Sequence, residues 1–150
     1  MALVPLILLV DQGLKFYVKT HFRPGWSVEL IPGVIDLTYL RNPGAAFGLF
    51  HHRTELLILM GVLAVTLIFI YYRRLPPEKY ILRYGLAFGL TGALGNLLDR
   101  LFYGYVIDMF NLSFWPGVFN VADVAIIVGI ALIVIELWQD AEAVGEEAGE

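Results

Sequence analysis

Four long apolar segments constrain this chain more than any other feature of its sequence. They run from about Leu3 to Val18, Glu55 to Tyr72, Ile81 to Phe102 and Val118 to Trp138. About 20 apolar residues in a helix, at 1.5 Å each, cross the ~30 Å hydrocarbon core of a bilayer. The chain has 150 residues, of which 59% are hydrophobic and only 16% are charged, too few to coat a soluble globule. These features predict a membrane protein.

The first segment differs from the others because Asp11 and Lys15 interrupt it. The two residues are four apart, on one face of a helix, where they can form an ion pair inside a bundle. A cleaved signal peptide is the alternative, but the segment has no basic n-region and no small-residue cleavage site. We therefore expect an all-α membrane bundle of four transmembrane helices. It forms one domain over residues 1–138, with a β-rich outer loop at about 24–50 and an acidic tail at 139–150.

The link between the second and third spans sets the expected orientation in the membrane. It is short and holds four basic residues, Arg73, Arg74, Lys79 and Arg83. Short basic loops are typical of the cytoplasmic side of a membrane. With four spans, both chain termini and the acidic tail then lie in the cytoplasm, and the loop after the first span lies outside.

The outer loop contains its own β-strand pattern. Val28–Ile31 and Val34–Arg41 are rich in strand-forming residues and flank Pro32-Gly33, a dipeptide suited to a type II turn. They predict a small extracytoplasmic β-sheet between helices 1 and 2. Trp26 and Tyr39 are candidate anchors at the membrane interface, where aromatic side chains are enriched.

Three carboxylates are expected at one level of the membrane. Asp99 lies ~24 Å along the third helix from Arg83, which places it close to the outer surface. Asp108 follows that helix by a few residues, and Asp123 lies in the first turns of the fourth span. Two facing carboxylates cannot both ionise at low cost, so they share a proton. Such a pair can activate water for hydrolysis of a peptide bond without a metal.

Helical spacing places further polar groups beside these acids. One face of the third helix carries, at i, i+4, i+7 and i+8, the residues Gly92, Asn96, Asp99 and Arg100. Asn120 and Asp123 are three residues apart and share a face of the fourth helix. The glycines at 85, 89 and 92 predict close contact between the third helix and a neighbour.

Most of these polar residues also have a simpler interpretation. An ion pair between Asp99 and Arg100 is as consistent with the sequence as a role in binding substrate. Asn120 can serve only as the N-cap of the fourth helix. Asp108, taken alone, fits an ordinary loop carboxylate. Asp123 is different, because an acid inside a span with no basic residue nearby in sequence is a functional candidate.

Several site types do not fit this sequence. The chain has no cysteine, which excludes disulfides, thiolate metal sites and cysteine nucleophiles. His21, His51 and His52 lie in loops without an HExxH helix, so a zinc site is not expected. Ser27 and Ser113 lack a nucleophile-elbow context. No basic stretch indicates nucleic-acid binding.

Three other functions remain open at this point. A small transporter or channel subunit can use acids as a proton or cation path, although a conduction path needs polar groups at several depths. An intramembrane protease of the presenilin type also uses aspartates, but its GxGD signature is absent. A structural assembly factor is the third possibility, but a purely structural role does not explain why paired acids lie at one depth.

Five sequence blocks, taken together, resemble the lipoprotein signal peptidase family. They are DQGLK at 11–15, NPGAAFG at 42–48, GALGNLLDR at 92–100, VIDMF at 106–110 and FNVADVAI at 119–126. They occur in the family's order and cover essentially the whole chain except the tail. This family is the bacterial signal peptidase II, an aspartyl endopeptidase of the inner membrane.

The resemblance implies roles for individual residues. Asp108 and Asp123 match the catalytic pair. The residues that match positions shaping the site or holding substrate are Asn42, Gly92, Asn96, Arg100 and Asn120. Those that match structural polar supports are Asp11, Lys15 and Asp99.

The resemblance also implies the substrate and the setting. The substrate is a prolipoprotein whose lipobox cysteine already carries diacylglycerol, cut just before that cysteine near the outer leaflet. The family is inhibited by the cyclic peptide globomycin. We expect a monomer in contact with membrane lipid, with no cofactor and no metal. The 42–48 segment is expected to help cover the cut bond.

Overall fold

Four helices and a four-stranded sheet make up the fold. The computed structural model describes residues 3–44 and 53–149. In chain order the elements are α1 (Leu3–His21), β1 (Ser27–Ile31), β2 (Ile35–Asn42), α2 (Thr54–Arg74), α3 (Tyr80–Tyr103), β3 (Val106–Leu112), β4 (Val118–Phe119) and α4 (Val121–Gly149). Helix α3 packs against each of the other three helices, and the sheet contacts α1 and α3. Helix α3 is therefore the centre of the bundle.

Local sequence explains where the central helices end. Helix α2 stops at Arg74, because Leu75 is extended and two prolines follow it. Helix α3 ends at Tyr103 and is followed by Gly104, which has a φ of 77° and donates its N–H to the Arg100 carbonyl. A left-handed residue at this position favours glycine. Helix α4 continues through the acidic segment at 139–150 as far as Gly149.

Three of the four described helices are long and apolar enough to cross a membrane. They cover Thr54–Arg74, Tyr80–Tyr103 and Val121–Glu142. Helix α1 is outside this set, since it carries Asp11, Lys15 and Lys19. The predicted bundle is thus confirmed for three spans, and the fourth span stays a prediction.

Helix α2 faces outward along almost its whole length. Only Tyr72 is buried, whereas Leu59, Leu63 and Leu67 expose 65%, 56% and 56% of their surface. An apolar surface of this extent is unfavourable in water and is normal against lipid. The chain is an integral membrane protein.

The predicted hairpin in the loop after α1 is confirmed. Strands β1 and β2 pair antiparallel, with Ser27 opposite Thr38. The Val34 N–H donates to the Ile31 carbonyl at 3.0 Å, and Gly33 has a φ of 70°. Proline followed by a glycine of positive φ is the arrangement that a type II turn uses.

The sheet is larger than predicted, and this corrects the position of Asp108. Strands β3 and β4 come from the segment between α3 and α4, and the sheet order is β1-β2-β3-β4. Asp108 therefore lies within a strand and not in a loop. This strand was not predicted from the sequence, because Val106 to Met109 are buried on both faces of the sheet. A strand buried on both faces lacks the alternation of polar and apolar residues that marks a half-exposed strand.

The proposed interfacial role of Tyr39 is wrong. Its side chain is only 1% exposed and packs in a core with Val18, Ile107 and Met109, between α1 and the sheet. Trp26 is 59% exposed, as an interfacial anchor has to be.

A bulge in β2 lies beside Asp108. Leu37 pairs with Phe110 and Leu40 pairs with Asp108. Between these two pairs the chain advances by three residues in β2 and by two in β3, so β2 contains one extra residue. An extra residue bends a strand and re-aims the side chains next to it. The bulge lets Asn42, two residues beyond Leu40, reach the Asp108 carboxylate.

Close contact between α3 and α4 depends on glycine. A Cβ atom built on Gly92 would lie 2.3 Å from the Ala122 carbonyl oxygen and 2.6 Å from Ile126 Cγ1. A Cβ on Gly85 would lie 2.9 Å from the Gly129 carbonyl oxygen. The predicted helix contact is therefore present, and Gly92 lets the start of α4 lie directly against α3.

Replacing Gly92 by Ala is expected to separate the two helices and destabilise the fold by about 3 kcal/mol, as overpacking does. Gly89→Ala is the matched control, because a Cβ on Gly89 meets nothing within 4 Å. Thermal unfolding in detergent should show a lower midpoint for Gly92→Ala alone. Equal midpoints for the two variants would show that this contact is not tight.

Candidate active site

Two acidic side chains meet at one end of the helices. Asp108 lies in the middle of β3 and is 2% exposed, and Asp123 lies in the first turn of α4. Both line a cleft of about 690 Å³. Strand β3 and helix α4 therefore bring two carboxylates that are distant in sequence to one cavity.

Asn120 holds both acids in place. It caps α4, since its Oδ1 accepts the Asp123 N–H at 2.9 Å and its own N–H donates to Asp123 Oδ2 at 3.2 Å. This reciprocal pair is a capping box in which the acid is an aspartate. The Asn120 Nδ2 also donates to Asp108 Oδ1 at 2.7 Å. The simple interpretation as an N-cap is thus correct but incomplete.

Two further asparagines donate to the acids. Asn96 Nδ2 donates to Asp123 Oδ1 at 2.8 Å, and Asn42 Nδ2 donates to Asp108 Oδ2 at 2.9 Å. Asn96 Oδ1 in turn accepts from Asn120 Nδ2 at 3.2 Å, and Asn42 Oδ1 accepts the Gly44 N–H at 3.1 Å. Each carboxylate is therefore oriented by donors from two separate parts of the chain.

A polar cluster lies beneath these acids, in which Asp11, Lys15 and Asp99 are buried and Gln12 is half-buried. The Lys15 ammonium is 2.9 Å from both Asp11 Oδ2 and Asp99 Oδ2, and all three side chains are at most 2% exposed. Gln12 Nε2 donates to Asp11 Oδ2 and Asp99 Oδ1, each at 3.1 Å. The predicted pair of Asp11 and Lys15 is confirmed, whereas the alternative pair of Asp99 and Arg100 is wrong, because Asp99 pairs with Lys15.

The cluster connects to the elements that carry the two acids. Asp11 Oδ1 accepts the Ala122 N–H at 2.9 Å, at the N-terminus of α4 where a negative charge is favourable. Asp99 Oδ2 accepts the Ile107 N–H at 3.0 Å, one residue before Asp108. Lys15 Nζ donates to Asn96 Oδ1 at 3.3 Å. These contacts fix β3 and α4 relative to α1.

Arg100 and Gly92 have different positions in the site. Arg100 lines the cleft and donates to two backbone carbonyls, those of Asn96 at 3.2 Å and Gly44 at 3.0 Å. It thereby holds the chain just after Asn42. Gly92 is buried beneath Ala122 and affects the site only by allowing α4 to come close.

The rest of the cleft is mostly apolar. Its walls include the segment between β3 and β4 and one side of α4, with the residues Trp115, Pro116, Gly117, Val118, Phe119, Ile126 and Ile127. Residues 45–48 of the expected cover, and His51 and His52, lie outside the described residues. A cavity with one polar end and apolar walls suits an amphipathic ligand.

Burial changes the proton affinity of Asp108. Loss of hydration raises the pKa of its carboxyl to about 7, and the negative charge of Asp123 acts in the same direction. The hydrogen bonds from Asn42 and Asn120 act against this shift. A carboxyl with this pKa can hold a proton near neutral pH and donate it.

Two contributors to the site were not identified from sequence. Gln12 joins Asp11 to Asp99 and also donates to the Gly95 carbonyl at 3.2 Å. It lies between Asp11 and Lys15 in the DQGLK block, and a polar residue in an apolar span is the signal that marks it. A Cβ on Gly95 would lie 2.7 Å from Asp11 Oδ2, so glycine leaves room for the cluster.

Comparison with known proteins identifies the family. A family model described as signal peptidase (SPase) II matches residues 3–139. A lipoprotein signal peptidase of Moorella thermoacetica is 44% identical over 145 residues, covering 97% of this chain and 94% of that protein. One from Pelotomaculum thermopropionicum is 41% identical over 140 residues, covering 93% and 91%.

Solved structures of bacterial membrane enzymes share the fold. One superposes with a TM-score of 0.88 at 26% identity, covering 92% of this chain and 86% of the other. A second gives 0.84 at 26% identity, covering 91% and 90%. With the family match over nearly the whole chain, these likenesses show that this integral membrane peptidase belongs to the signal peptidase II family.

Proposed function

We propose that this protein is an aspartyl endopeptidase that removes the signal peptide from diacylglyceryl-modified prolipoproteins. The observation that carries the proposal is the pair of acids, Asp108 and Asp123, joined through Asn120 at the polar end of one cleft. Relatives named lipoprotein signal peptidase, 41–44% identical to this chain, support the substrate class.

The two acids divide the chemistry between them. Asp123 takes a proton from a water molecule whose oxygen attacks the scissile carbonyl carbon, while protonated Asp108 gives its proton to the carbonyl oxygen. The raised pKa of Asp108 supports its role as the acid. In the second step Asp123 returns its proton to the leaving nitrogen and the C–N bond breaks. One hydroxyl proton of the tetrahedral intermediate then restores Asp108.

Apolar walls beside the acids suit a lipid-modified substrate. Ile126 and Ile127 follow Asp123 on α4, and Trp115 lies on the opposite segment. Acyl chains on the cysteine remain in the bilayer and hold the peptide bond on the N-terminal side of that cysteine at headgroup level. Each buried CH₂ contributes about 0.8 kcal/mol, so two chains localise the substrate without side-chain recognition. Cleavage then falls just before the lipidated cysteine.

Four spans with both termini in the cytoplasm remain our proposed topology in the bacterial inner membrane. The burial of Asp11 and Lys15 supports α1 as the fourth span, because it leaves apolar side chains such as Leu9 and Phe16 on its outer surface. The short basic link between α2 and α3 supports the orientation. The active site then lies near the outer leaflet.

An assay of the purified full chain tests this function. The substrate is a prolipoprotein carrying diacylglycerol on its lipobox cysteine, and the control is the same peptide without the lipid. We expect cleavage before the cysteine in the lipidated substrate only, and inhibition by globomycin. Proton flux into liposomes without cleavage would instead support a transporter and contradict the proposal.

Activity is expected to fall as the pH rises through about 7. The folded-state pKa of Asp108 lies above the ordinary value of 3.8, so the proton is bound below pH 7 and lost above it. Each further pH unit should then lower kcat/KM about tenfold. The measurement is kcat/KM from about pH 6 to about pH 9, with the folded fraction followed as a control. A rate that stays level or rises over this range would contradict the assignment of Asp108 as the acid.

A further inference from the structure

A second, smaller pocket lies at the far end of α3 from the two acids. It has a volume of about 150 Å³ and is lined by Tyr72, Pro77, Tyr80, Arg83, Tyr84 and Ala87. Arg83 precedes Asn96 by 13 residues, which is about 20 Å along the helix. The pocket therefore belongs to the other surface of the membrane and is independent of the cleft.

Arg83 is held in a fixed orientation within this pocket. Its Nη1 donates to the Leu75 carbonyl at 2.7 Å, and its Nη2 donates to the Tyr72 hydroxyl at 3.2 Å. The guanidinium carbon also lies 4.5 Å from the centre of the Tyr72 ring. These contacts use two of the five guanidinium N–H groups and leave the others for a ligand.

The ion pairs at this end of the bundle involve Lys79 and not Arg83 within the described side chains. Among the side chains that the structure describes, no carboxylate forms an ion pair with it. Nearby Lys79 differs, since it pairs with Glu136 at 3.3 Å and with Asp140. A half-buried guanidinium at a membrane surface is favourable when an anion completes its hydrogen bonds.

Tyrosines form the walls of the pocket and face outward. Tyr80 is 63% exposed and Tyr84 is 50% exposed, at the first turns of α3. Tyrosine at this depth places its ring among acyl chains and its hydroxyl among headgroups. The pocket thus offers a cation at its base and amphipathic sides, which are the features of a headgroup site.

We propose that this pocket binds the phosphate of an anionic phospholipid from the leaflet opposite the catalytic cleft. The Arg83 guanidinium contacts the phosphate oxygens, and Tyr80 and Tyr84 flank the headgroup. The lipid would connect the end of α2 to the start of α3.

Native mass spectrometry of the full chain in detergent tests the proposal. The probes are phosphatidylglycerol, phosphatidylcholine with the same acyl chains, and inorganic phosphate. We expect phosphatidylglycerol to bind about tenfold more tightly than phosphatidylcholine, since charge-assisted hydrogen bonds to a net anion are the stronger ones. Inorganic phosphate should show no comparable binding. Equal binding of the two lipids, or binding of inorganic phosphate as tight as that of phosphatidylglycerol, would overturn the lipid assignment.

Variants locate the binding. Arg83→Gln should remove the preference for phosphatidylglycerol, whereas Arg73→Gln should keep it. Arg73 is the matched control, because it is an exposed arginine at the same end that does not line the pocket. Tyr80→Ala, at an exposed position, should weaken binding even if Arg83→Gln fails to fold. If Arg83→Gln and Arg73→Gln lost the preference for phosphatidylglycerol equally, or if Tyr80→Ala bound it as tightly as the unmodified protein, the lipid would be held by general attraction to the basic surface. Either result would refute the site.

Discussion

Replacing Lys15 by Met is expected to destabilise the folded protein by about 3–5 kcal/mol. Lys15 is the cation between two buried carboxylates, each 2.9 Å away and almost inaccessible to solvent. Removing it leaves Asp11 and Asp99 as like charges without compensation. Removing one partner of a buried ion pair has a large effect for this reason.

Lys79→Met is the matched control for this variant. Lys79 also pairs with two carboxylates, but its side chain is 37% exposed. Ion pairs that reach solvent contribute much less than buried ones, because water and salt screen them. Thermal and denaturant unfolding in detergent should therefore separate the two lysine variants clearly.

A triple variant tests the cause of the destabilisation. Asp11→Asn, Lys15→Met and Asp99→Asn together remove all three charges while keeping similar side-chain volumes. We expect this protein to recover part of the stability lost in Lys15→Met, since a neutral cluster leaves no unpaired charge. A triple variant less stable than Lys15→Met would show that the hydrogen bonds that Asp11 and Asp99 accept through both oxygens contribute more than the relief of their charges.

The helices were predictable because their signals are local. The runs that became α2, α3 and α4 are long and apolar. The signal for the hairpin between β1 and β2 was equally local, because the dipeptide Pro32-Gly33 indicates its turn. Strand β3 was not predicted, because its pairing with β2 joins residues about 70 apart in sequence. No pattern within residues 106–112 indicates that partner.

The site was predictable in its acids and less so in their connections. Asp108, Asp123, Asn42, Asn96 and Asn120 do meet, as spacing and the family resemblance indicated. The partner of Asp99 was uncertain, because helical spacing gives the face of a residue but not the neighbouring helix. The adjacent Arg100 points to the cleft and Lys15 of α1 is the actual partner. Gln12 stands out as a polar residue in an apolar span, but spacing alone does not give its partners on α3.

Asp108→Asn and Asp123→Asn are each expected to lower cleavage by at least about 10³-fold, the loss that removing one member of a catalytic unit produces. Asparagine keeps the shape of the side chain but can neither accept the water proton nor donate an acidic one. Each acid accepts N–H donors on both of its oxygens, and asparagine keeps only one of these two acceptors, so a moderate drop in unfolding midpoint is expected and the folded fraction is measured for each variant. Asp36→Asn is the control, since Asp36 lies on β2 away from the cleft.

The most direct test of the central claim is the cleavage rate of lipidated prolipoprotein by the single variants Asp108→Asn and Asp123→Asn and by the double variant. If the two acids act as one unit, all three proteins lose at least about 10³-fold and lie within about tenfold of one another. Either single variant retaining a rate within about tenfold of the unmodified enzyme, while Asp36→Asn behaves normally, would contradict the assignment of the two aspartates as the catalytic pair.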